Sequence, residues 1–167
     1  MILYFRLILV TLKVFWANWR TPLPEAQHDI TFRVWPTDMD LNRHMNNARY
    51  HSWMDLGRYY MLGRYGLFKA IFGGEGWQGI IGGVHIRFLR PLNFMQKVTL
   101  RTEIENIDEK YFYISQTFLT EDGKIAAKAH VKGIMITKDR KVKPQEVIKR
   151  VLAQKQVQKL GCTVKHG

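Results

Sequence analysis

Residues 35–60 read WPTDMDLNRHMNNARYHSWMDLGRYY, and two patterns meet inside that stretch. Tyr50, Trp53, Met54, Gly57, Tyr60 and Met61 fall at helical spacing, which predicts one apolar face of a helix about five turns long. Asn46 and Asn47 stand where that helix begins, and asparagine side chains satisfy the free amides of a first turn. Gly57 lies inside the stripe, where a missing side chain lets another backbone come close. Ahead of the helix, Asp38, Asp40, Asn42, His44, Asn46 and Asn47 crowd into one short loop.

Moving outward, the pattern changes to the two-residue period of strands. On the N-terminal side, Ile30, Phe32 and Val34 alternate with polar partners over 29–35. On the other side, 66–79 is broken by glycine and reads as a loop with one short apolar turn. Four strand-like stretches follow. Val84, Ile86 and Phe88 alternate with His85, Arg87 and Leu89, and Val98, Leu100 and Ile104 share a face of the next. Phe112, Ile114 and Phe118 share a face of the third, and Asp122-Gly123 signals a hairpin into a long final strand over 124–137. The order β, α, β, β, β, β with short later links predicts an α+β fold, an antiparallel sheet packed on one long helix.

The chain has 167 residues, enough for one ordinary core, and a formal charge of +12. That excess suggests nucleic acid until it is located. Residues 1–24 carry +3, 138–167 carry +7, and the body, 25–137, only +2. A nucleic-acid reader would concentrate cations on a face of the body, so that partner is not expected. The first twenty residues, MILYFRLILVTLKVFWANWR, are apolar but interrupted by Arg6 and Lys13, which spoils a membrane span; no small-x-small cleavage site follows. Arg6, Lys13 and Arg20 fall seven apart, a narrow basic stripe on an otherwise apolar helix. Two readings stand for it: an interfacial helix on an anionic membrane, or a helix packed on its own domain or a partner subunit. Near the other end, Pro144 with Val147, Ile148, Val151 and Leu152 predicts a short amphipathic helix leading into a basic tail.

The loop before the long helix is a useful place for chemistry. Amides at a helix N-terminus can polarise a carbonyl, and a nearby carboxylate can attack it or take a proton from water. The plainer reading is an elaborate cap, with Asp and Asn side chains closing the loop. Asp40 and His44 alone are too few ligands for a metal, and none is expected. No serine elbow, phosphate loop or dinucleotide fingerprint is present, and the single Cys162 lies in the basic tail, so no cofactor is expected.

The stretch from Trp35 to Tyr60 resembles the signature of hotdog-fold acyl thioesterases, a family that includes the 4-hydroxybenzoyl-CoA thioesterase-like group and plant acyl-carrier-protein thioesterases. The likeness rests on an Asp, a His four residues later, Asn-Asn at six and seven, Tyr at ten and then an amphipathic helix, and it covers about residues 27–140. It implies a long helix wrapped by the sheet and a homodimer or homotetramer with sites at the subunit interface. It implies Asp40 as nucleophile or general base, with Asn42 and His44 as positioning groups. Asn46, Asn47 and Tyr50 would then contact the acyl thioester, and Arg87 and Arg90, with Lys132, are cations on offer to the phosphates of coenzyme A. In the plant enzymes an acidic residue stands where this chain has Arg87.

The expectation is therefore an acyl-CoA thioesterase acting on a fatty or related acyl group carried by CoA or acyl carrier protein. A non-catalytic acyl-thioester or lipid-binding protein of the same fold, and a hotdog enoyl-CoA hydratase, are the alternatives. The expected organisation is an amphipathic helix over 1–24, a hotdog domain over 25–143 and a basic helix and tail over 144–167. The expected place is the cytoplasm, at the inner face of a membrane if the N-terminal helix binds lipid.

Overall fold

A computed structural model describes residues 2–20 and 26–153. The boundary expected at 24/25, and the basic tail with Cys162, lie outside those residues. Helix α1 (Ile2–Arg20) is followed by β1 (Gln27–Arg33), a single 3-10 turn (Pro36–Asp38), and the long α2 (Asn47–Arg64). Then come α3 (Phe68–Phe72), β2 (Gln78–Phe88), β3 (Lys97–Ile107), β4 (Phe112–Thr120), β5 (Ile125–Ile136) and β6 (Lys141–Val142). A last helix, α4, occupies 144–153.

The strands form one antiparallel sheet in the order β1-β3-β4-β5-β2, with β6 beside the end of β5. Gly123, at φ 77°, makes the tight β4–β5 turn that Asp122-Gly123 signalled. The sheet curls around α2, and that curl explains a burial stripe broader than the sequence suggests. Tyr50, Trp53, Met54, Leu56, Gly57 and Met61 are all buried. They pack on Ile30, Phe32, Val98, Leu100, Phe118 and Val131 in one core. Phe32 lies parallel to Trp53, ring centroids 3.5 Å apart.

Gly57 sits where helix and sheet come closest. A methyl group there would lie 2.7 Å from Thr102 Oγ1, 2.9 Å from Leu100 Cδ2 and 3.0 Å from Gln116 Nε2. Gln116 is fully buried and satisfied: Nε2 donates to the Met54 carbonyl (2.9 Å) and to Thr102 Oγ1 (3.1 Å), and Oε1 accepts from Arg58 (2.6 Å). Another polar side chain in the interior is not satisfied. His28 on β1 is buried between Tyr60 and Tyr65, and its Nε2 has no hydrogen-bond partner. Burial, with Arg64 adding to it, pushes its pKa down to about 4.

Two elements differ from the sequence reading. Strand β2 begins at Gln78, inside the glycine-broken stretch read as a loop, because its pairing to β5 runs back as far as Ile136 and a bulge at Gly82 absorbs the irregularity. As the edge strand it leaves Ile80, Ile81, Val84 and Phe88 exposed despite the alternating pattern. In α1 the basic stripe is broken. Arg6, Val10 and Val14 form the buried face, so Arg6 points into the body while Lys13 is exposed. Phe5, Ile8, Leu12, Phe15 and Trp16, each more than half exposed, form the outward face. No described helix is long and apolar enough to cross a membrane.

Candidate active site

The polar loop is folded by its own side chains and tied at both arms. Asp38 ends the 3-10 turn, and its carbonyl accepts from the Asn46 amide (2.8 Å), closing the loop at its base. Inside, the Asp40 amide donates to the His44 carbonyl (2.9 Å), and Met39 and Met45 form an antiparallel bridge. Arg43 adopts left-handed backbone (φ 61°) to make the reversal, a conformation that costs a non-glycine residue energy and persists only where its surroundings hold it. The Met45 amide donates to the Leu92 carbonyl (2.8 Å), which fixes the loop against the link between β2 and β3.

Asp40 is half-buried. Its Oδ1 accepts from the amides of Asn42 (2.8 Å) and His44 (3.5 Å), and among the described residues nothing donates to Oδ2. One oxygen holds the turn and the other is open. The side chains of Asn42 and His44 are exposed on the same turn. Asn46 caps α2, its Oδ1 accepting from Ala48 N (2.8 Å). Asn47 is the first helical residue and is exposed, so its amide is one of the donors a helix start leaves free. A carboxylate oxygen and the positive end of α2 thus share one loop.

The other expected residues divide. Tyr50 lies beneath the loop in the core, its ring edge-on to Phe88 and Phe118, and burial pushes its phenol up to about 12. Arg90 is exposed and donates to the Ile125 carbonyl (2.7 Å). Arg87 is exposed on β2, directly opposite Lys128 of β5. Like charges in a direct cross-strand pair repel, and an anion between them would relieve that repulsion. Lys132 lies four residues further along β5, over the ring of Tyr111 at 3.9 Å.

Three features were not read from the sequence. Lys128 was missed because its pairing with Arg87 exists only in the sheet register. Asp38 is fully buried and held by Arg6 of α1 through two hydrogen bonds; a charge in the middle of an apolar run was the available signal. The third is an apolar cavity of about 470 Å³ between the second half of α2, the sheet and α4. Leu62, Ile81, Ile134, Phe112 and Val151 line it, and the hydrogen-bonded pair Asp55 and Arg58 stands at its side. Among the described residues no group of three metal-ligating side chains occurs.

Fold and comparison agree on the class: a curled antiparallel sheet around one long helix is the hotdog fold. A family model for the thioesterase-like superfamily matches residues 34–155, and the chain belongs to that superfamily. Protein THEM6 of Danio rerio is 39% identical over 103 residues, covering 61% of this chain and 50% of that protein. Protein THEM6 of Xenopus laevis is 34% identical over 93 residues, covering 56% and 44%. The chain thus spans about half the length of these curated relatives. Among solved structures, YbaW, a probable thioesterase from Escherichia coli, superposes with a TM-score of 0.68 at 20% identity, covering 76% of this chain and 97% of that one. A 4-hydroxybenzoyl CoA thioesterase complexed with 4-hydroxybenzoyl CoA gives 0.68 at 16%, covering 76% and 99%. At such identities these structures speak for the fold.

Proposed function

We propose that this chain hydrolyses an acyl-CoA thioester to a free acid and a thiol, with Asp40 as the reacting carboxylate. The observation that carries the reading is the open Oδ2 of Asp40 in a loop that ends at the N-terminus of α2, in a chain of the thioesterase-like superfamily. The thioester carbonyl would lie against the free amide of Asn47, which with the positive end of α2 favours the oxyanion as it forms. Asp40 then either takes a proton from the attacking water, or attacks the carbonyl carbon itself to give a mixed anhydride that water cleaves; on both routes the C–S bond breaks and the thiolate takes up a proton that the water supplies. His44 and Asn42, exposed on the same turn, orient the water or the leaving sulfur. The test is thiol release from a panel of acyl-CoAs by the wild type and by Asp40→Asn. Turnover should fall steeply in the variant with folding intact; undiminished turnover would remove Asp40 from the chemistry.

The cavity supports a fatty acyl group. It lies beside residues 55–62 of α2, about 12 to 22 Å along the helix from Asn47 at ~1.5 Å per residue, so only a medium or long chain would reach it. The facing pair Arg87 and Lys128 supports a phosphate-bearing carrier. The long edge of β2, apolar and unpaired on one side, supports a homodimer formed there; a monomer in sedimentation at micromolar concentration would remove that reading. The apolar outer face of α1 supports contact with a membrane surface, with the catalytic body in the cytoplasm. Co-sedimentation with anionic vesicles that survives deletion of residues 1–20 would overturn it.

A further inference from the structure

We infer that Arg6 is a positioning residue for Asp40, acting through Asp38; this rests on the role of Asp40 proposed above. Arg6 belongs to α1, which lies before the segment matched by the superfamily and is separated from Asp38 by 32 positions. Its guanidinium grips both oxygens of the Asp38 carboxylate, Nη1 to Oδ1 at 2.7 Å and Nη2 to Oδ2 at 2.6 Å. Such a planar fork sets direction as well as distance, which a lysine ammonium does not. The same guanidinium lies 4.5 Å from the centroid of the Trp53 ring, so it is clamped between the loop and α2.

Among the described residues Arg6 alone hydrogen-bonds the Asp38 carboxylate from a charged side chain, and Arg49 stands further off as a second cation. Asp38 is fully buried; its remaining polar contacts are the Trp35 amide at 3.0 Å and Arg49 Nε at 3.9 Å, beyond hydrogen-bond distance. Without Arg6 the buried carboxylate loses both charge-assisted hydrogen bonds, and to regain them from Arg49 or from water it must turn outward. Turning outward moves the backbone that closes the loop, because the Asp38 carbonyl holds Asn46. Asp40 lies two residues beyond Asp38 and six before Asn46, inside the segment those two anchors define. The position of the open Asp40 oxygen relative to the start of α2 is therefore set from outside the loop, by a residue of α1.

The seat of α1 makes this a defined geometry. The helix runs alongside α2 in the same direction. Thr11 meets Tyr59 (3.3 Å), and Asn18 donates to the Gly63 carbonyl (3.1 Å) while accepting from Arg64 (2.7 Å). Val10 and Val14 are buried on the face that carries Arg6. Arg6 is thus delivered by a docked helix rather than a free arm.

The test compares Arg6→Gln, Arg6→Lys, Asp38→Asn and the double variant Arg6→Gln with Asp38→Asn, each beside the wild type. Val142→Ala, a buried side chain of β6, serves as a destabilised control. Thiol release from the best acyl-CoA of the panel is followed at saturating and limiting substrate. In Arg6→Gln the kcat should fall about 10- to 100-fold with little change in KM, as a small misplacement of a reacting group does. Arg6→Lys should restore it only in part. The double variant, which leaves no buried charge, should be faster than Arg6→Gln. Val142→Ala should lose thermal stability and keep its kcat. Amide hydrogen exchange supplies a second readout that needs no turnover: Asp40, Met45 and Asn46 should exchange faster in Arg6→Gln while the centres of β3 and β4 do not. Arg6→Gln with wild-type kcat and unchanged exchange in the loop would overturn the inference even if Asp40→Asn is inactive. A fully active Asp40→Asn would instead overturn the reading of the carboxylate, and loop exchange alone would then decide the role of Arg6.

Discussion

Replacing His28 by Phe should make the fold less sensitive to acid, by an amount that follows from the burial of one ring. His28 is neutral in the folded chain at ordinary pH because its pKa is held near 4, mainly by desolvation and then by Arg64, against the opposing pull of Asp29. In the unfolded chain it returns to about 6.5. A lowered folded value means that the unfolded state binds more protons, so stability increases with pH. The contribution is complete above the unfolded pKa, declines as pH falls through the window from 6.5 to 4, and levels off below it. Linkage over that window gives a loss of about 2 kcal/mol between about pH 8 and about pH 5, approaching about 3 kcal/mol in stronger acid, at ~1.4 kcal/mol per pKa unit. The ring of Phe suits the slot between Tyr60 and Tyr65 and carries no titrating group. Urea unfolding followed by tryptophan fluorescence, at the two pH values and for both chains, reads the difference. At a slope of about 2 kcal/mol per molar, the wild type should lose about 1 M of midpoint more than His28→Phe. Equal losses in the two chains would show that His28 already carries its proton in the fold, or finds a partner for it, and the reasoning from burial would fail.

Gly57→Ala should destabilise the fold by about 1–3 kcal/mol, because its methyl group must displace Thr102, Leu100 and Gln116 together; thermal unfolding reads it. Ile134→Phe should partly fill the cavity and raise KM for the longest acyl chains of the panel, leaving the shortest unaffected; a uniform change across chain lengths would separate the cavity from the substrate. Arg87→Glu combined with Lys128→Glu should raise KM for acyl-CoA about tenfold with kcat retained, an effect that shrinks as salt is added. A thioester lacking the nucleotide should not distinguish that double variant from the wild type.

Local pattern made much of this molecule legible. The stripe from Tyr50 to Met61 placed α2, and the alternation at Ile30, Phe32 and Val34 placed β1, because in both the repeat of the chain matches the repeat of the structure. The loop carried its own signal, since side chains that close a turn must be short, polar and near in sequence. What stayed hidden depends on contacts between distant residues. Nothing local says that Arg6 turns inward, because a cation on an apolar helix satisfies the same periodicity whether it meets water, lipid or a buried carboxylate. Strand β2 was read short because its glycines weaken the strand signal, and its extent is decided by the partner strand. The cavity is built from seven separate elements, each with an ordinary apolar pattern of its own.

The stacking of Phe32 on Trp53 has a bearing on where this chain can be cut. The superfamily match starts at Val34, one residue after β1 ends and fourteen after α1 ends. A polypeptide trimmed to that match would strip the outer strand from β3, uncover the indole of Trp53 and take from the buried Asp38 carboxylate the arginine that holds both its oxygens. What is shared by descent across the superfamily and what must be kept together to hold a folded shape are thus different lengths of chain. The shorter of the two is set by ancestry, the longer by solvation, and a trimming experiment guided by likeness alone would remove the residues that keep Asp38 dry.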